Sequence, residues 1–243
     1  MFSLSQLSQW PNASGLNVLK KRLLETGAMQ PSFVCQNDLP ATSAYYEQII
    51  SQQGLIPTRG QSWHDLFNAL MWLQFPQTKT VLNQLHVRDI EQFGVSPRTH
   101  QRNNLTHFDE CGVVLAYSDP ALLAMLKNHQ WHDIFVKHRA SWGRDIHPYI
   151  FGHANYELLL APFIGLTGKW LAVEVEQGFG RQSLAQQSEQ VDKLLLENIV
   201  QEDTFSQPRP LLPLPLLGIP GWWDANEDEN FYANTDYFRP KRA

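Results

Sequence analysis

The stretch WHDLFNALMWLQFP, residues 63–76, is apolar on almost every side when wound as a helix. At 100° per residue, Trp63, Leu66, Phe67, Leu70, Met71 and Leu73 cover most of its circumference. Such a helix belongs inside a core. Yet it also carries His64, Asp65 and Asn68, which share with Trp72 one sector about 100° wide. A buried polar group without a partner costs about 1–3 kcal/mol. Other polar segments must therefore fold against this sector, or His64 and Asp65 must bond to nearby backbone and loops. Ser62, three residues before Asp65, forms a near capping box for the helix start. Pro76 suits the first turn of a second helix, which Gly94 ends after Phe93.

In that second helix Lys79, Asn83 and His86 stand at i, i+4 and i+7 and so share a face. They make either a solvated stripe or a wall of the same polar pocket. A further helix is expected over 152–160, where His153 and Glu157 are four apart and face one side. That spacing suits two ligands to one metal, a histidine oriented by a carboxylate, or a plain hydrogen-bonded pair. It lacks the second histidine of HExxH. Leu105–Phe108 and Val113–Tyr117 are β-prone runs around Asp109-Glu110-Cys111-Gly112, which predicts a hairpin over 105–117. Asp109 and Glu110 at its tip, with His107 beside them, suit acid–base work, metal ligation or a soluble turn. No histidine is fixed by sequence beside Cys111, which argues against a thiol nucleophile.

Three lookalikes fail. GLTGKW lacks the first Gly and the Ser or Thr of a phosphate loop. DANEDEN has Glu229 where a calcium loop needs glycine and Thr235 where it needs Glu. His129, His132 and His138 are interleaved with the core-forming Trp131, Ile134 and Phe135, which assigns these histidines to an exposed face.

The rest of the chain reads as short elements. Helices are expected over 17–26 (closed by Gly27), 41–53 (closed by Gly54), 120–127 (capped by Asp119), 131–142 and 183–202, and a half-buried strand over 170–176. The Pro-rich segment 207–243 is expected to be extended and to wrap on the surface of the core. At 243 residues with 43% hydrophobic content, the expectation is one mostly helical α+β domain with a small antiparallel sheet containing the 105–117 hairpin.

Composition restricts partners. The net charge is −5 and the basic runs are short, which disfavours nucleic acid. No apolar run is long enough to span a membrane, and the start MFSLSQLSQWPN has no export pattern. Cys35 and Cys111 lack CxxC spacing, as expected of reduced cytoplasmic thiols.

Taken together, GLIPTRGQSWHDLFNALMWLQFPQTKTVLNQLH, LTHFDECGVVLAY, FGHANYELLLAP and GIPGWWDANEDENFYANTDYFRP resemble a family of bacterial proteins described only as a domain of unknown function. The resemblance spans nearly the whole chain, and WHDLFNA is its most specific block. It implies a polar residue such as Asn between DE and G, where this chain has Cys111; that departure also argues against a cysteine mechanism. It implies no reaction, cofactor or substrate.

The residues themselves leave three readings. In the first, a small-molecule hydrolase uses His64, Asp65, Asp109 and Glu110 as catalytic groups. His153 and Glu157 hold a divalent metal, and Arg59, Asn68, Trp72, Lys79, Asn83 and His86 bind ligand, with Arg59 or Lys79 meeting an anionic substrate. In the second, the eight tryptophans and the Leu-Pro-rich tail bind a ligand or partner without turnover. In the third, the polar residues only fix how the helices pack.

Overall fold

The computed structural model describes residues 10–23, 30–40 and 44–241. The architecture is α+β, with helices packed around two small sheets. The helices are α1 (Ala13–Leu23), α2 (Tyr46–Gln53), α3 (Trp63–Gln74), α4 (Pro76–Phe93), α5 (His100–Cys111), α6 (Pro120–Lys127), α7 (His153–Leu158) and α8 (Leu184–Gln201). The strands are β1 (Ser32–Cys35), β2 (Leu55–Thr58), β3 (Gly112–Tyr117), β4 (Ile146–Ile150), β5 (Thr167–Glu174) and β6 (Leu212–Pro215).

Most helix boundaries follow the local chemistry. Ser62 accepts from the Asp65 N–H and caps α3, Pro76 opens α4, Asp119 caps α6, and Ser183 caps α8. Gly54 ends α2 in the left-handed conformation at φ 64°, where a side chain is disfavoured. The expected ends of the first helix, Thr26 and Gly27, and the start of the second at residues 41–43 lie outside the described residues. The segment 131–142 is less regular than expected, a π-helical turn at Asp133–Lys137 followed by a 3₁₀ turn.

The hairpin over 105–117 does not form. Residues 100–111 are helical, and the chain passes directly from Cys111 into β3 at Gly112. The reason is visible in the packing. Leu105 and Phe108, three apart, are fully buried, while Thr99 accepts from the Arg102 N–H as a helix cap. The β-prone side chains of Leu-Thr-His-Phe are overridden by this cap and this period. β3 finds its partners elsewhere: β4 antiparallel and β5 parallel, with β6 antiparallel outside β5, giving the mixed order β4-β3-β5-β6. β1 and β2 form a separate parallel pair. β3 is buried on both faces: Val113 and Leu115 enter one core cluster, Val114 and Ala116 the other.

The Pro-rich tail is more than a surface wrap. Leu212–Pro215 is an edge strand, and Leu214, Leu216, Leu217 and Ile219 are buried in the core. Prolines fit an edge strand because its outer N–H groups have no ladder to join.

Helices α4 and α8 are locked by Asp192, whose carboxylate accepts the Gln77 and Thr78 N–H groups at 2.9 Å each. Phe75, at the N-cap position, offers no side-chain acceptor, so α8 supplies the cap that α4 lacks.

Candidate metal centre

Two glycines bring the chemistry together. The Gly152 N–H donates to the Gly112 carbonyl at 2.8 Å, so the start of α7 rests on the end of α5. A Cβ on Gly152 would stand 2.3 Å from the Gly112 nitrogen and 2.4 Å from the Glu110 oxygen, which leaves no room for one. This backbone contact places His153, the first residue of α7, beside Glu110, the penultimate residue of α5. Helix α3 packs across α7 and adds His64.

His64 Nε2 lies 3.0 Å from His153 Nε2, and Glu110 Oε2 lies 3.3 Å from His153 Nε2 and 4.0 Å from His64 Nε2. One ligand atom from each of the three residues thus falls within 4.8 Å of the others. A tetrahedral ion with bonds of about 2.1 Å has ligand–ligand edges of about 3.4 Å, so the spacing fits one ion. The tautomers make the point sharper. Glu157 Oε2 is 3.2 Å from His64 Nδ1, and an ionised carboxylate only accepts. In the tautomer with its proton on Nδ1, His64 donates to Glu157 and turns the Nε2 lone pair inward. Burial holds His153 at a pKa of about 4, with the nearby Asp109 acting in the other direction, so this imidazole is neutral at pH 7. A proton or a cation between the two Nε2 atoms and the carboxylate would satisfy all three.

His153 and Glu157 share a side of α7, as their spacing requires. They grip the one His64 ring from either end rather than forming a two-ligand set by themselves.

Beneath this cluster the polar sectors of α3 and α4 meet. Lys79 Nζ donates to Asp109 Oδ1 at 2.5 Å and to Asn68 Oδ1 at 3.0 Å, and sits over the Trp72 ring at 5.3 Å. Asn68 passes the network on to the Tyr46 hydroxyl at 2.9 Å. Asp109 also approaches His153 Nδ1, at 3.9 Å. Its carboxyl is held below the usual range: burial pushes upward, and the charge and hydrogen bond of Lys79 act against it and prevail.

Lys79, Asn83 and His86 are all buried, so this face of α4 is a wall and not a solvated stripe. Asn83 donates to Glu47 Oε2 at 2.6 Å. His86 is driven to a pKa of about 4 by burial and is neutral.

Asp65 turns away from the cluster. Its N–H donates to the Ser62 cap of α3, and its carboxylate pairs with Arg59, whose Nη2 donates at 2.6 Å and whose backbone N–H also donates at 2.6 Å. Arg59 and Lys79 are thus both engaged by carboxylates. Cys111 contributes its carbonyl, which accepts from buried Asn155 at 2.8 Å, and burial raises its thiol pKa, which disfavours the nucleophilic thiolate. Two surface hollows, of ≈ 490 and ≈ 410 Å³, are lined by residues such as Trp170 and Leu195, or Tyr149, Tyr156 and Trp222, and by none of His64, Glu110 and His153.

Sequence reasoning did not single out Glu47 or Tyr46. Glu47 is largely enclosed, and burial next to Asp109 raises its pKa from the ordinary 4.5 to about 7. A carboxyl whose folded pKa is raised binds protons more readily when folded, so stability falls as pH rises from about 4.5 to about 7 and then levels. Replacing Glu47 by Gln should remove this slope. In urea titrations at pH 5 and pH 8 the wild type is expected to lose about 2 kcal/mol more than the variant between the two pH values. Equal losses would show that Glu47 is not held protonated.

Among the described residues no helix is long and apolar enough to cross a membrane. No curated protein and no solved structure matches the chain. A family model for proteins of unknown function, DUF3025, matches residues 31–242, and the chain belongs to that family.

Proposed function

We propose that the protein is a metal-dependent hydrolase of small molecules in which His64, His153 and Glu110 hold one divalent ion, zinc by ligand type. The observation that carries this reading is the convergence of two imidazole nitrogens and a carboxylate oxygen from α3, α5 and α7 within 4.8 Å. Two histidines and one glutamate are a ligand set used by catalytic zinc, with a coordination position left for water or substrate. Here His64 is 35% exposed and Glu110 37% in their side chains, while His153 is 5% exposed, so the open side of the set faces solvent. When bound, such an ion polarises a carbonyl and lowers the pKa of a coordinated water.

The protein's own groups supply orientation. Glu157 fixes the His64 ring, and Asp109, anchored by buried Lys79, stands behind His153. A carboxylate behind a ligating histidine sets its tautomer and raises its basicity. Asp65 acts one step back, holding the start of α3 and hence the position of His64.

The test is elemental analysis of protein purified with zinc available, followed by hydrolysis assays on ester, amide and phosphoester panels with and without chelator. One zinc per chain is expected, together with a chelator-sensitive activity that Glu110→Gln removes. Protein that retains no metal under these conditions sinks the reading.

A further inference from the structure

The outer strand of the four-stranded sheet carries an unpaired edge. β4 pairs with β3 on one side and with no named strand on the other, as the order β4-β3-β5-β6 requires. The Phe151 N–H donates to the Gly112 carbonyl at 3.0 Å, which brackets the facing pair Val113 and Ile150. His147, Tyr149 and Phe151 therefore turn their backbone groups toward β3, while Ile146, Pro148 and Ile150 turn theirs outward. This phase explains why Pro148 is tolerated, since β3 needs no N–H from it. Gly143 covers the start of the edge, its N–H donating to the Ile146 carbonyl at 2.8 Å. Beyond that point the Pro148 carbonyl and the Ile150 N–H and carbonyl have no hydrogen-bond partner among the described residues. Ile150 is 6% exposed, and an unpaired backbone donor in so buried a residue is rare.

An uncharged groove runs along this edge. Pro148, Tyr149 and Ile150 all line the hollow of ≈ 410 Å³. Successive side chains of a strand point to opposite faces, so a hollow that touches all three meets β4 at its rim. The other rim is taken by β3. Tyr156 and Leu159 of α7, together with Trp222, build the facing wall, and no charged side chain lines the groove. What it offers is a backbone donor beside backbone acceptors, set in apolar and aromatic surface. The complement of that pattern is another extended backbone with uncharged side chains.

We infer that this groove binds an uncharged, extended peptide segment of a partner protein, which adds a strand to β4 and lays alternate apolar side chains against Tyr156, Leu159 and Trp222. In a parallel arrangement one peptide residue donates to the Pro148 carbonyl and accepts from the Ile150 N–H; in an antiparallel one it exchanges both bonds with Ile150. The Ile150 N–H is used either way. None of His64, Glu110 and His153 lines the groove, so the inference stands apart from the metal reading.

The experiment follows amide hydrogen exchange residue by residue in the full-length protein, alone and with acetylated, amidated hexapeptides that alternate serine with leucine, valine or phenylalanine. In the free protein the Ile150 amide should exchange faster than those of Tyr149 and Phe151, which are bonded to β3, and peptide should slow it. Methylating every other peptide nitrogen should abolish binding in one register and spare it in the other, because an added strand uses alternate N–H groups. Leu159→Glu should weaken binding about tenfold or more by setting a carboxylate against an apolar chain. The methylated peptides need no altered protein, so the test does not depend on that variant folding. Binding that tolerates methylation in both registers would make the groove a plain apolar patch and overturn the inference. So would an Ile150 amide as protected as its neighbours in the free protein, or no binding by any of the three peptides. A concentration-dependent dimer that protects Ile150 would overturn it too, by giving the edge to a second copy of this chain.

Discussion

Arg102→Ala is expected to destabilise the protein by about 3–5 kcal/mol, enough to unfold many domains of this size at physiological temperature. The Arg102 side chain is 2% exposed and its Nε stands 3.4 Å from the Asp89 carboxylate, itself fully buried. The same guanidinium donates to the Gly94 and Val95 carbonyls at 2.9 Å and to that of Pro97 at 3.2 Å. Thr99 completes the arrangement, capping α5 through its hydroxyl while also donating to Asp89. Truncation would leave a buried carboxylate without its cation and three carbonyls without this donor. Each of these costs more than the bond itself contributes.

A second variant separates the two losses. Buried ion pairs can often be replaced by apolar residues at little cost. Arg102→Met with Asp89→Leu should therefore recover the part due to the stranded charge and no more, since the loop carbonyls would still lack Arg102. Denaturant titration of the single and double variants measures this. Full recovery in the double variant would mean that the loop contacts contribute nothing. The consequence reaches the site, because the 94–99 loop joins α4, which carries Lys79, to α5, which carries Asp109 and Glu110.

What the sequence discloses and what it hides divides along contact range. The apolar circumference of residues 63–74 announces burial, and its polar sector of His64, Asn68 and Trp72 announces that polar partners must exist, because hydrophobic period and desolvation are local properties of a chain. Caps at Ser62 and Asp119, and the stop at Gly54, are legible for the same reason. The helix over 100–111 was hidden because Leu-Thr-His-Phe and Gly-Val-Val-Leu have strand-like side chains on either side of a turn-like Asp-Glu-Cys-Gly. The burial of Leu105 and Phe108 in the cluster that holds Phe151 and Phe205, together with the Thr99 cap, decides for helix. The pairing of His64 with His153, 89 residues apart, leaves no trace in spacing. Spacing shows that His153 and Glu157 share a face; it cannot show that a third side chain enters between them. Glu47 and Tyr46 were hidden because a carboxylate and a phenol on a short helix read as surface groups until Asn83 of α4 meets the one and Asn68 of α3 the other.

The other large effect is expected for His153→Ala. His153 is the most buried of the three proposed ligands and the one nearest both of the others, at 3.0 Å from His64 and 3.3 Å from Glu110. Its loss leaves one imidazole and one carboxylate 4.0 Å apart, a set too sparse to hold zinc against water. Zinc affinity should fall by well over the roughly 10–100-fold that changes behind a ligand produce. Glu157→Gln should fall within that 10–100-fold range, because it leaves all three ligand atoms in place and removes only the carboxylate that orients His64. Glu91→Gln, on an exposed turn of α4, should leave affinity unchanged. The measurement is competition with a chromogenic zinc chelator, accompanied by thermal unfolding of each metal-free protein to separate loss of ligation from loss of fold. The order of the three variants carries the argument. If Glu157→Gln weakened zinc as much as His153→Ala, Glu157 would be a ligand and the inward orientation of the His64 Nε2 lone pair would be wrong. If His153→Ala bound zinc as the wild type does, the ion would sit elsewhere and the cluster would be a hydrogen-bonded packing device between α3, α5 and α7.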